Sequence, residues 1–243
     1  MPTRLVQVVV DAADPDRLAR FWAAALGWVI GEVNHGVIDV WPPGYTYPDP
    51  VALPLVFVPT PGPKTGKNRV HLDLATRSTE HQAGLAARLV TLGATPADIG
   101  QGRVPWQVLA DPEGNEFCVL EPRPVYAGTG PVAAVVADSA DPDTLAGFWR
   151  SASGWVPAHS SGVALRSPAG TGPFLELLPS ADVKTVKNRV HLDVAPEPGE
   201  DQAAAVRALV AAGAVPADIG QGEVPWQVLA DPEGSEFCVL TPR

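Results

Sequence analysis

Two short strings hold most of the residues able to do chemistry in this 243-residue chain. The first is KNRVHLD at 67–73, repeated letter for letter at 187–193. Side chains on a strand alternate between its faces. Val70, Leu72 and Leu74 then form an apolar face, and Arg69, His71 and Asp73 share the opposite one. The second copy divides in the same way, with Val190, Leu192 and Val194 set against Arg189, His191 and Asp193. A row of Arg, His and Asp can orient an imidazole, move its pKa or hold a polar ligand. The same row also reads as a cross-strand ion-pair network around a satisfied histidine. The second string is EFCVL at 116–120 and 236–240, where Phe117 and Val119 face one way and Glu116, Cys118 and Leu120 the other. Cys118 and Cys238 read first as small core residues. In LVQVVVDA (5–12), Gln7 shares a face with Leu5 and Val9, and its counterpart in the second half is Ala134.

These strings recur because the chain is a tandem duplication. Residues 96–120 return at 216–240 with 23 of 25 positions identical, and 14–28 return at 141–155. The two offsets differ by seven residues, so the first half carries an extra loop, placed at Trp41–Pro50. Two domains are expected, 1–123 and 132–243, with 124–131 as linker. Within each, an apolar β-branched run (5–12) predicts a strand. Asp14 then caps a helix with Pro15 in its first turn, Leu18, Phe21, Trp22 and Leu26 at helical spacing, and Gly27 as its stop. Short strands follow to Leu53–Val58, and Val70–Ala75 starts the pattern again. A helix at 80–92 and strands near 94–98, 106–110 and 116–121 complete it, the last two joined by the turn Asp111-Pro-Glu-Gly114. Each half is therefore β-α-β-β-β twice.

Composition excludes several classes. Seventeen basic against 27 acidic residues give a net charge of −10, which argues against nucleic-acid partners. No apolar run is long enough to span a membrane. Two cysteines cannot build a disulfide framework, and the first residues carry no signal-peptide pattern, so a cytoplasmic protein is expected.

Paired βαβββ modules, a DPDRLARFWAAALGW helix, HLDL opening the second module and a closing DPEGNEFCVL resemble the vicinal oxygen chelate superfamily, above all its glyoxalase-like and bleomycin-resistance-like branch. The resemblance covers nearly the whole chain. It implies an α+β fold, four modules forming two cup-shaped mixed sheets with helices outside and the ligand within. Metalloenzymes of that superfamily place ligands on the first and fourth strands of each module. Carried over, those positions are Gln7, Val56, His71 and Cys118 in the first half and Ala134, Glu176, His191 and Cys238 in the second. No cup holds the complete set, so no cofactor is expected. The alternative is one divalent ion such as zinc on Glu176, His191 and Cys238, or, with modules exchanged between domains, on Glu176, His71 and Cys118.

The function expected is thus metal-free binding of a small organic metabolite such as an antibiotic, by sequestering it or acting on it. Ligand contacts are expected from Gln7, Trp41, Arg69, His71, Asp73, Trp106, Cys118, Glu176, Arg189, His191, Asp193, Trp226 and Cys238. Trp41, Tyr45 and Tyr47 would close over a cup as an aromatic lid, and Trp106 and Trp226 would line it. The alternative is a lyase or isomerase of glyoxalase type. It would use the metal, or His71 or His191 as a base held by Asp73 or Asp193, with Arg69 or Arg189 stabilising an oxyanion. Trp22, Trp28, Trp149 and Trp155 are assigned to the core. The domains are expected to pair within the chain, and a homodimer stays open.

Overall fold

A nine-residue run of mostly apolar, β-branched side chains forms the first strand, β1 (Arg4–Ala12), and Asp14 ends it by accepting from Arg17 N to cap helix α1 (Pro15–Leu26). Gly27 closes α1 in the left-handed region at φ 68°, which only glycine adopts cheaply. The computed structural model describes residues 3–47, 49, 52–159 and 162–243. The first module continues with β2 (Val29–Asn34), β3 (Val37–Trp41) and β4 (Leu55–Pro59). The second holds β5 (Val70–Leu74), α2 (Thr79–Leu92), β6 (Thr95–Pro96), β7 (Gln107–Ala110) and β8 (Glu116–Val119). A single 3-10 turn at Pro124–Tyr126 leads to the third module, β9 (Val132–Ser139), α3 (Pro142–Ser153), β10 (Val156–His159), β11 (Val163–Arg166) and β12 (Phe174–Pro179). The fourth is β13 (Val190–Ala195), α4 (Gln202–Ala211), β14 (Val215–Pro216), β15 (Gln227–Ala230) and β16 (Glu236–Val239).

The modules assemble across the two halves of the chain. One eight-stranded sheet has the order β14-β15-β16-β13-β1-β4-β3-β2, and the other β10-β11-β12-β9-β5-β8-β7-β6. The first module therefore joins the fourth through the antiparallel pair β1·β13, and the second joins the third through β5·β9. This is the exchanged-module arrangement. It separates Glu176 on β12 from His191 on β13 and Cys238 on β16, so the set Glu176–His191–Cys238 is not assembled. Glu176 shares a sheet with His71 and Cys118 instead.

One face of each sheet contributes, with all four helices, to a single core that includes Val8, Phe57, Leu72, Phe117, Leu175, Leu192 and Phe237. Trp22, Trp149 and Trp155 are buried in it and Trp28 packs against it. Trp22 Nε1 donates to Asp111 Oδ2 at 3.2 Å and Trp149 Nε1 to Asp231 Oδ2 at 3.3 Å. The opposite, concave faces carry two smaller clusters, one per sheet. Two expectations shift in detail. The strand near 94–98 shrinks to Thr95–Pro96, and Trp41 ends β3 instead of opening the extra loop, of which Pro48 and Pro50 lie outside the described residues.

Candidate functional site

Strand register decides which side chains meet on each concave face. In the first sheet Gln7 stands opposite Asp193, and Val9 opposite His191. Asp193 in turn neighbours Cys238, and Val9 neighbours Val56. In the second sheet Ala134 stands opposite Asp73, and Val136 opposite His71. Asp73 neighbours Cys118, and Val136 neighbours Glu176. Each cup thus gathers a His, an Asp and a Cys whose donor atoms all lie within 4.8 Å of one another. His71 Nε2 and His191 Nε2 each lie 3.5 Å from the Oδ1 of Asp73 and Asp193. Cys238 Sγ lies 3.8 Å from His191 Nε2.

The cups differ in what surrounds that trio. In the first, Gln7 Nε2 donates to Asp193 Oδ2 at 2.8 Å, and Arg243 reaches Gln7 Oε1 at 3.3 Å. Tyr47 packs against Val6, Val228 and Cys238, and its hydroxyl donates to the Arg243 carbonyl at 3.0 Å. Trp226 packs against the same cluster. Trp41 stacks on Tyr45 with centroids 5.4 Å apart, its ring so close over Gly31 that a β-carbon there would overlap it. Asp39 on β3, opposite Val56, is a buried-side carboxylate that the strand pattern gives no reason to single out. Burial raises its pKa to about 6, with repulsion from Glu32 adding to this and Arg243 opposing.

In the second cup, Ala134 replaces Gln7 and Glu176 replaces Val56. Glu176 is 1% exposed, and its Oε1 accepts from the Tyr126 hydroxyl at 2.8 Å. Tyr126 comes from the turn between the halves and lies edge-on against Phe174. Arg123 sits 5.7 Å from the Trp106 ring and 5.8 Å from that of Tyr126, while Trp106 packs on the concave cluster. Tyr126 and Arg123 were not foreseen; the segment 124–131 reads as a Pro- and Gly-rich linker.

The two histidines differ in their electrostatics. Burial lowers His71, but the hydrogen bond and charge of Asp73, with Asp138 behind it, outweigh that and the net shift is upward. For His191 burial prevails over the charge of Asp193, and the shift is downward. Gln7 donates to Asp193 in that cup, and Ala134 at the matching position has no side chain to do the same for Asp73. Burial pushes both Cys118 and Cys238 thiols up, and the neighbouring Asp73 and Asp193 charges push them further.

Arg69 and Arg189 do not join this arrangement. Strand β5 begins at Val70, so the alternation does not extend to Arg69. Arg69 pairs with Glu233 at 3.2 Å and donates to the carbonyls of Asp138 and Asp182. Arg189 pairs with Glu113 at 2.7 Å and donates to the carbonyls of Asp11 and Gly62. The terminal nitrogens of both guanidinium groups are thus engaged by loop carbonyls and by the Glu233 and Glu113 carboxylates.

The glyoxalase-like domain model matches residues 7–120 and 134–240. The chain belongs to the glyoxalase-like family of the vicinal oxygen chelate superfamily. Its fold is similar to that of glyoxalase I from Zea mays, with TM-score 0.60 and 14% identity over 98% of this chain and 92% of that one. A Bacillus subtilis protein assigned as a dioxygenase gives TM-score 0.58 and 16% identity over 98% and 84%. No curated protein matches the sequence significantly. Among the described residues no helix is long and apolar enough to cross a membrane. The four positions that the resemblance assigns to metal ligands fall together as Gln7, Val56, His191 and Cys238 in one cup and Ala134, Glu176, His71 and Cys118 in the other.

Proposed function

We propose that this glyoxalase-like protein binds a small organic molecule, and that the working cup is the one built by the second and third modules. The observation that carries this is Glu176, a carboxylate 1% exposed on the same concave face as His71, Asp73 and Cys118, with the Tyr126 hydroxyl at hydrogen-bond distance. Buried carboxylates are costly unless partnered, and a ligand hydroxyl or ammonium can take the place that Tyr126 holds. Trp106 and Phe174 supply aromatic surface for a flat or cyclic body. The first cup has Val56 at the Glu176 position and so lacks this carboxylate, which gives it the lesser part in this reading.

Thermal-shift screening against aromatic and cationic metabolites, antibiotics among them, tests this reading. A ligand at 100 times its Kd stabilises by about 2.7 kcal/mol, which raises the Tm of a chain this size by roughly 5–10 °C. That shift is expected to vanish in Glu176→Ala and to persist in Val56→Ala. A panel without any shift, or a ligand indifferent to Glu176→Ala, overturns the assignment.

A further inference from the structure

Five arginines of the chain are half-buried: Arg4, Arg69, Arg123, Arg166 and Arg189. Four of them pair with a carboxylate, Arg4 with Glu197, Arg69 with Glu233, Arg123 with Glu121 and Arg189 with Glu113. Arg166 makes no ion pair with any described residue. It lies on β11, whose alternation sends Leu165 into the core and Ala164 to the concave face of the second sheet, and Arg166 shares the face of Ala164. Its guanidinium lies 4.5 Å over the Phe174 ring, and its Nε donates to the Gly172 carbonyl at 3.1 Å. Stacking and that one bond hold the group, while both terminal nitrogens lack an acceptor among the described residues. Burial lowers its pKa and no neighbouring acid opposes this. An arginine so held keeps a rigid fork of donors ready for a planar anion.

Strand register ties this group to the cup. Arg166 stands opposite Phe174, Phe174 neighbours Ala134, and Ala134 stands opposite Asp73. In the adjacent row Ala164 stands opposite Glu176. Arg166 and Glu176 are therefore diagonal across the antiparallel pair β11·β12, about 7–8 Å apart. We propose that Arg166 anchors a carboxylate, and that the ligand of this cup is an organic carboxylate carrying a hydroxyl or ammonium group that reaches Glu176. This assignment rests on the cup of the second and third modules being the binding site, and names the class of molecule bound there. A carboxylate matches the two terminal nitrogens in a bidentate pair. A phosphate or other dianion suits the face less well, because Asp73 and Glu176 already place acids on it and like charges repel. The first cup has no such anchor. There Asp39 stands opposite Val56 as Ala164 does opposite Glu176, so the residue that matches Arg166 is Trp41.

The test titrates full-length protein in a calorimeter with 4-hydroxybenzoate, mandelate and L-phenylalanine, which place the hydroxyl or ammonium at different distances from the carboxylate, and with the methyl ester of each. At least one acid is expected to bind about 10–100-fold more tightly than its ester, the worth of a hydrogen-bonded charge. Arg166→Gln weakens that acid by a similar factor and brings it level with the ester, with the melting of the unliganded variant as the check on its fold. Arg166→Lys keeps the charge and loses the fork, so it recovers only part of the loss; it decides the matter if Arg166→Gln does not fold. Esters that bind as well as their acids overturn the carboxylate assignment while leaving the cup standing as a binding site. An acid indifferent to both Arg166 variants overturns it in the same way. No binding by any of the three acids overturns it too, and the cup then answers separately to the Glu176→Ala comparison with neutral and cationic ligands.

Discussion

Asp39 is a residue whose environment opposes its charge. It shares the concave face of the first sheet with Val56 and Val9, and burial followed by the charge of Glu32 raises its pKa to about 6, against the pull of Arg243. A carboxylate bound more tightly to its proton in the folded state than in the unfolded one costs stability wherever it is ionised. Below about pH 4 the group is protonated in both states and costs nothing; the cost grows between about pH 4 and 6 and is complete above. Asp39→Asn is therefore expected to stabilise the protein at about pH 8 by roughly 1 kcal/mol after solvent screening. The same variant should be neutral near pH 4. Urea melts at the two pH values check this, and equal stabilisation at both would show that charge is not the cause. Nothing local marks Asp39 in VIDVW, since its importance comes from the strands that β3 meets. His71, Asp73 and Cys118 were legible because strand parity is a local property, and for the same reason parity could not say that Arg69 precedes the strand and turns to the rim.

At the scale of elements, the turn at Pro124–Tyr126 does more than connect. Tyr126 is 5% exposed, packs on Phe174 and donates to Glu176, so the segment between the halves closes the cup of the second sheet. Tyr126→Phe keeps the ring and removes the donor to a buried carboxylate. Leaving a buried polar group without its partner costs about 1–3 kcal/mol, so the variant should melt roughly 2–12 °C lower in calorimetry. Glu176→Gln and Tyr126→Phe together should cost less than the sum of the two single losses, because both act on the same hydrogen bond. Independent, additive losses would show that the two side chains do not interact. Proline and glycine in 124–131 announce a break in regular structure, but burial of Tyr126 depends on β12, about fifty residues on, and has no local signature. The helices were easier to place. Asp14 and Gly27, and Asp141 and Gly154, bracket α1 and α3 where the cap residues predict, because capping is decided within a single turn.

The whole molecule is held by seams that join the two halves. β1 pairs with β13 and β5 with β9, and the rim adds polar ties between the sheets. Glu113 accepts from Ala13 N and Asp14 N at 2.9 and 2.7 Å and pairs with Arg189. Glu233 does the same for Ala140 N and Asp141 N at 3.0 and 2.9 Å and pairs with Arg69. The duplication announces two equal halves, and their internal repeat announces four modules, yet neither says which module joins which; that is settled by the long-range pairing of β1 with β13 and of β5 with β9. A half made of residues 1–123 alone would leave one edge of β1 and one edge of β5 without a partner, which isolated sheets do not tolerate well. Its β5 segment has the KNRVHLD string of β13. Two copies can therefore pair β1 of each with β5 of the other, restoring two closed seams about a two-fold axis. Expressed alone, residues 1–123 should sediment as a dimer with the circular dichroism of the parent. Full-length protein cut once between 124 and 131 should remain a single species of unchanged mass until denatured. If residues 1–123 form a stable folded monomer, the exchanged seams are dispensable and each half closes its own sheet.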